Sequence, residues 1–170
     1  MGFVLVLGGA RSGKSDLAMR LGTESGRDVT FIATATPGDA EMAGRIERHQ
    51  AARPSGWSTV EAPLDLAAAL HRAPATDFVI VDCLTLWVSN LLGEGSSAEQ
   101  VLGLGSEAAR AMSQHDGAVV SNEVGLGIVP ANEMARAYRD VLGGVNAIFA
   151  ETAERAVLMV AGRALELKPA

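Results

Sequence analysis

Hydrophobic and polar positions along the chain follow two rhythms. Short continuous apolar runs at Phe3–Leu7, Val29–Ala33, Phe78–Val81, Ala118–Ser121 and Ala156–Val160 read as strands buried on both faces. Between them, apolar residues recur three to four positions apart. That spacing predicts helices over Lys14–Leu21, Ala40–Ala52, Leu64–His71, Ala98–Gln114 and Asn132–Glu154. Strands alternating with helices in this order predict an α/β fold with a mostly parallel sheet flanked by helices. Gly162-Arg163 reads as a turn into Ala164–Leu167, a short antiparallel edge strand, and Gly93-Glu94-Gly95-Ser96-Ser97 as an exposed loop. Asp39 suits an N-cap and Pro54 a helix stop. Gly103 and Gly105 weaken the middle of their helix. In the last helix Met134, Tyr138, Val141, Val145, Ile148 and Thr152 form one stripe, packed either on the sheet or against another subunit. Gly143-Gly144 within it would permit close packing or a kink. With no repeat and no linker, residues 1–170 are expected to form a single domain.

Composition sharpens this picture. With 48% apolar but only 4% aromatic residues, the core must be built from Ala, Val, Leu and Ile, as suits helices packed on a parallel sheet. A formal net charge of −6 argues against nucleic acid as the main partner. Cys83 is the only cysteine, which excludes an intramolecular disulfide and a zinc–thiolate cluster. The first apolar run is too short for a signal peptide, and no stretch approaches the length of a membrane span, so a cytoplasmic protein is expected.

The chemistry starts after the first strand. Gly8-Gly9-Ala10-Arg11-Ser12-Gly13-Lys14-Ser15 fits the phosphate-binding P-loop, G-x-x-x-x-G-K-[ST]. A buried strand precedes it and a helix follows, the order this loop requires. Backbone N–H groups and the helix dipole then meet phosphate oxygens at the helix N-terminus. Lys14 can reach the β- and γ-phosphates, and the Ser15 hydroxyl can ligate Mg²⁺. The fold is therefore expected to be that of a P-loop NTPase with a RecA-like sheet. Asp82 closes the apolar run Val79-Ile80-Val81, where P-loop proteins carry the acid that holds Mg²⁺.

Two further clusters stand out. In the helix over Ala40–Ala52 and just beyond it, Met42, Ile46, His49 and Arg53 share a stripe, with Arg45 and Arg48 beside the histidine. These cations would favour a neutral imidazole, which suits a nucleophile, and would also bind a triphosphate. By pattern alone, the favoured reading of His49 is a histidine that ends an apolar face among solvated arginines. His71 and His115 read as structural or surface residues. Ser121-Asn122-Glu123-Val124-Gly125-Leu126-Gly127-Ile128-Val129-Pro130 follows a buried strand, so Asn122 and Glu123 are expected to face the nucleotide or its acceptor. Otherwise the segment is simply a turn into the last helix.

Taken in order, several blocks resemble the bifunctional adenosylcobinamide kinase / adenosylcobinamide-phosphate guanylyltransferases of cobalamin biosynthesis. The blocks are the P-loop; Phe31-Ile32-Ala33-Thr34-Ala35; Asp39-Ala40-Glu41-Met42 through Arg45-Ile46-Glu47-Arg48-His49; Arg53-Pro54; Trp57-Ser58-Thr59-Val60-Glu61; Val81-Asp82-Cys83-Leu84-Thr85; and Ser121 through Pro130. The stretch from Leu91 to Gln114 matches least, and Arg48 stands where some relatives have another histidine. The resemblance implies that ATP or GTP phosphorylates a hydroxyl of adenosylcobinamide. It implies that GMP then passes from GTP to His49 and on to the new phosphate, giving adenosylcobinamide-GDP. It further implies guanine-nucleotide contacts at Ala33, Thr34, Ala35, Gln50, Ala51, Ala52, Arg53, Glu61 and Asp82, and a homotrimer. The kinase's general base stays open between Glu123 and Asp82. Two rival readings are a simple P-loop kinase for another small alcohol and a non-enzymatic nucleotide-binding module. The absence of an N-K-x-D guanine-reading motif weakens the second.

Overall fold

The computed structural model describes residues 2–38 and 40–169. Of Ala40, Glu41, Met42 and Arg45 it describes the backbone only, and the N-cap expected at Asp39 lies outside the described residues. In chain order the elements are β1 (Phe3–Gly8), α1 (Lys14–Glu24), β2 (Val29–Ala33), α2 (Ala40–Ala51), β3 (Ser58–Glu61), α3 (Leu66–Arg72), β4 (Phe78–Asp82), α4 (Leu84–Gly93), α5 (Ala98–Met112), β5 (Asp116–Val120), α6 (Glu133–Thr152), β6 (Arg155–Val160) and β7 (Arg163–Leu167). The strands form one sheet in the order β3-β2-β4-β5-β1-β6-β7. All pairings are parallel except β6 with β7, the antiparallel edge expected from the sequence.

Successive strand residues point to opposite faces, and each face is packed. Phe3, Leu5, Leu7, Ile32, Val79, Val81 and Val119 join the core formed with α3 to α6. Phe31, Ile80, Ala118 and Val120 face the other way, with Ala18 of α1. This is why the strands read as unbroken apolar runs. Helix starts are set by local bonds. Asp65 accepts from the Ala68 N–H, Ser97 and Gln100 form a capping box, and Asn132 accepts from the Ala135 N–H.

The structure corrects the expected elements in four places. Strand β3 has no apolar run. Ser58, Thr59 and Glu61 are exposed at the sheet edge, and β3 is a strand because its backbone pairs with β2. Helix α4 was not expected. Leu84, Trp87, Val88 and Leu91 are buried at helical spacing, but Leu86 and Leu92 put apolar side chains outside that stripe and blur its period. Helix α5 runs unbroken through Gly103 and Gly105. A Cβ on Gly105 would stand 3.4 Å from Val145 Cγ2, so that glycine serves close packing with α6. The stripe on α6 packs mainly on α5 and α4 rather than on the sheet, although Phe149 meets Phe3 edge to face at 6.1 Å. Met134 at its start stays 80% exposed. His71 is exposed, and His115 is buried with Nε2 3.1 Å from the Leu70 carbonyl oxygen.

Candidate active site

The C-terminal ends of five parallel strands converge on one edge of the sheet. β1 delivers the P-loop, β2 delivers Ala33 to Ala35, β3 Glu61, β4 Asp82, and β5 leads to Asn122. That edge is where open parallel sheets bind ligands.

The P-loop owes its shape to close contacts. A Cβ on Gly8 would run into the Met159 carbonyl oxygen and Ser12 Oγ. Arg11 and Gly13 take left-handed conformations, φ 54° and 93°, turning the chain sharply into α1. Gly13 is the N-cap and provides no side-chain cap, so the first-turn N–H groups of α1 are directed at the loop's hollow. Lys14 is buried, and its Nζ donates to the Gly9 carbonyl oxygen at 2.6 Å. The Ser12 hydroxyl is buried with no hydrogen-bond partner among the described residues, a donor suited to a phosphate oxygen.

Two clefts adjoin here. One is polar and lined by Ala10 to Asp16 with Arg48 and His49. The other has about 840 Å³ of empty space, part of it open to solvent. Its walls include Phe31, Ala33, Ala35, Ile46, Gln50, Arg53, Glu61, Asp82, Cys83, Thr85, Leu86 and Asn122. Lys14, Ser15 and His49 line both. The first cleft has the chemistry of a phosphate site. The second, with an arginine stacked on an aromatic ring and the two carboxylates of Glu61 and Asp82, has that of a nucleoside site.

The Arg53 guanidinium lies 3.8 Å over the Phe31 ring, and its Nη1 donates to Thr59 Oγ1. Burial draws its pKa below the ordinary arginine value, while the carboxylates of Asp82 and Glu61 oppose that shift. Asp82 Oδ2 lies 4.0 Å from His49 Nδ1, within reach of an ion pair when the imidazole carries a proton. Burial, reinforced by the Asp82 carboxylate, pushes the Cys83 thiol up to about 11, so it stays protonated near neutral pH.

Not every expected residue lines the clefts. Gly8 and Gly9 shape the loop from behind, and Ala51 and Ala52 are exposed beyond both clefts. Thr34 is fully buried, and its hydroxyl donates to the Cys83 carbonyl and accepts from the Cys83 N–H. It ties the ends of β2 and β4 together rather than facing a ligand. Asn122 lines the larger cleft. Glu123 does not; its backbone N–H donates to the Gly8 carbonyl oxygen and its carboxylate accepts from the Gly125 N–H. Reasoning from the sequence missed Phe31, Thr85 and Leu86 as lining residues. Thr85 and Leu86 come from the unexpected α4, and Phe31 reads as core until Arg53 is seen stacked on it. A metal fits the donors present. Ser15 and Asp82 offer hard oxygen ligands, and among the described residues there is no cluster of three or more His, Cys, Asp or Glu. That set suits Mg²⁺, which takes much of its shell from phosphates and water, and not a metal held in an all-protein cage.

A RecA-like sheet with an uncapped helix start behind a glycine-rich loop defines a P-loop NTPase. Solved structures agree at the level of fold. The flagellar accessory protein FlaH of Methanocaldococcus jannaschii matches with a TM-score of 0.55 at 14% identity, covering 98% of this chain and 78% of that one. The RadB recombinase matches with a TM-score of 0.53 at 15% identity, covering 92% and 73%. Residues 4–167 match the model of the cobinamide kinase / cobinamide phosphate guanyltransferase family, and the chain belongs to that family. It is 47% identical over 167 residues to the bifunctional adenosylcobalamin biosynthesis protein CobP of Pseudomonas aeruginosa, covering 96% of each chain. It is 37% identical to the bifunctional adenosylcobalamin biosynthesis protein CobU of Escherichia coli, covering 97% of this chain and 99% of that one.

Proposed function

We propose that this chain phosphorylates adenosylcobinamide with ATP or GTP. It then transfers GMP from GTP, through His49, to the phosphate it has made. The observation that carries this reading is the position of His49. It lines both clefts, at the junction where a nucleotide with phosphates on the P-loop and nucleoside in the larger cleft would have its α-phosphate.

In the first stage Lys14, the α1 N-terminus and Arg11 hold the triphosphate. Ser15 and Asp82 would hold Mg²⁺, which offsets charge on the phosphate oxygens. The acceptor hydroxyl attacks the γ-phosphorus, its proton leaves to a base, and ADP or GDP departs. In the second stage a ring nitrogen of His49 attacks the α-phosphorus of GTP, and the bond to the bridging oxygen breaks, releasing pyrophosphate. With Nδ1 turned toward Asp82, Nε2 is the nitrogen left to form the bond, and the carboxylate steadies the imidazolium that results. A phosphate oxygen of the phosphorylated cobinamide then attacks the same phosphorus and His49 leaves, giving adenosylcobinamide-GDP. Glu61, Gln50, Arg53, Ala33 and Ala35 contact the guanine nucleoside. The chain works as one domain, built on a single seven-stranded sheet, and in the cytoplasm; the family resemblance implies a homotrimer, which sedimentation tests.

The test is His49→Ala with α-labelled GTP. Wild-type protein retains label through denaturation, as an acid-labile, alkali-stable phosphoramidate. The variant retains none yet still makes cobinamide phosphate. Normal labelling of the variant would remove His49 from the chemistry.

A further inference from the structure

The segment between β5 and α6 carries a surface that the nucleotide chemistry leaves unused. Leu126, Ile128 and Val129 are 82%, 97% and 61% exposed, with Val124 and Met134 exposed on either side. Apolar side chains this exposed, so close in sequence, mark a contact surface. The segment is also fixed at both ends. At its start the Glu123 N–H donates to the Gly8 carbonyl oxygen of the P-loop, and the Asn122 N–H donates to Thr85 Oγ1 in the larger cleft. At its far end Arg136 Nη1 donates to the carbonyl oxygens of Pro130 and Ala131.

We propose that this segment is the seat for the macrocycle of the corrinoid acceptor. The inference rests on the kinase and guanylyltransferase reading above. Three observations commit the surface to that occupant. It is continuous with the site, since the apolar stretch begins two residues after cleft-lining Asn122. The clefts themselves are matched to a nucleotide, so the bulk of a larger acceptor must rest outside them while its hydroxyl reaches the phosphates. The chemistry also divides: the phosphate cleft with Arg11 and Arg48 suits anions, whereas a corrin presents broad apolar faces with neutral amides at its edge. On the other side of the P-loop, the β6–β7 turn supplies only Ala161 and Gly162, with the Gly162 N–H on the Ser12 carbonyl oxygen.

The test compares wild type with the double variant Leu126→Ser, Ile128→Ser. KM for adenosylcobinamide should rise about tenfold, the scale of losing two partly covered aliphatic contacts. Meanwhile kcat, labelling of His49 from α-labelled GTP, and the sedimentation coefficient should hold within error. Met134→Ser, on the first turn of α6, should raise KM by a smaller factor, and it serves alone if the loop variant does not fold. An unchanged KM overturns the proposal. A fall in oligomeric state also overturns it, because the surface would then belong to a second copy of the chain. If wild-type protein takes no label from GTP, the guanylyltransferase reading fails on its own. Equilibrium dialysis of adenosylcobinamide then decides the surface: weaker retention by the variant supports it, and equal retention overturns it.

Discussion

Asp82 ends β4 between the side chains that the two proposed reactions use. Its carboxylate shares a cleft with Ser15, lies 4.0 Å from His49 Nδ1, and opposes the loss of charge on Arg53. Asp82→Asn keeps the shape and removes the charge. Apparent Mg²⁺ affinity in the kinase stage should weaken roughly tenfold or more, with the melting temperature nearly unchanged, because a carboxylate is a far better hard-cation ligand than an amide. A Mg²⁺ titration at fixed ATP measures this, and an unchanged midpoint would place the metal elsewhere. At the opposite edge of the sheet, Asp116 accepts from the Gly2 N–H at 2.7 Å and from Arg27 Nη1 at 2.6 Å. The Gly2 bond first, and the Arg27 bond second, hold its carboxyl below the ordinary aspartate value. A depressed folded pKa gives stability that is present above the unfolded pKa, about 4. That stability is lost as pH falls through the folded value. Asp116→Asn should therefore cost roughly 0.5–1 kcal/mol at pH 7, modest because the pair is partly solvated. The gap in melting temperature should narrow steadily below about pH 4. A gap constant with pH would make the contribution one of packing rather than charge.

Elements that bury two faces of a strand or one stripe of a helix were legible from sequence. β1, β2, β4, β5, β6 and most helices lie within a few residues of expectation. What escaped were elements whose evidence is tertiary. β3 exists through its ladder with β2, and α4 carries apolar Leu86 and Leu92 outside its buried stripe, which blurs the helical period. The site followed the same divide. The P-loop and strand-end Asp82 are written locally, whereas Thr85 and Leu86 reach the cleft only once α4 is folded beside it. Glycines inside elements show how context sets the sign of a substitution. In α6, nothing lies within 4 Å of a Cβ built on Gly143, so Gly143→Ala should stabilise by about 0.5–1 kcal/mol through helix propensity. In β5, a Cβ on Gly117 would overlap the Val79 carbonyl oxygen of the neighbouring strand and crowd Met112 Cε. Gly117→Ala should cost at least about 1–3 kcal/mol, since backbone must move. Denaturant melts of the two variants check the opposite signs.

Across the whole molecule the two sides of the sheet are unequal. Four helices, α3 to α6, share one core on one face, while α1 supports the P-loop on the other. Everything with chemistry collects at the C-terminal edge between them, where the two adjoining clefts share Lys14, Ser15 and His49. One P-loop must then serve both stages of the proposed reaction. The nucleotide that donates a γ-phosphoryl group and the GTP that guanylylates His49 cannot occupy one chain together. This exclusion has a kinetic consequence. A non-hydrolysable ATP analogue with Mg²⁺ should suppress labelling of His49 by α-labelled GTP, and enough GTP should restore the full rate. The apparent KM for GTP should rise linearly with analogue concentration while the maximum labelling rate stays constant. Adenine lacks the donors that the Glu61 carboxylate would accept from guanine, so the analogue should be held chiefly by its phosphates. Lys14→Ala should then weaken inhibition by the analogue more than Glu61→Gln does. A maximum rate that falls with analogue, or labelling indifferent to it, would require a second nucleotide site, and the shared edge would then serve one reaction only.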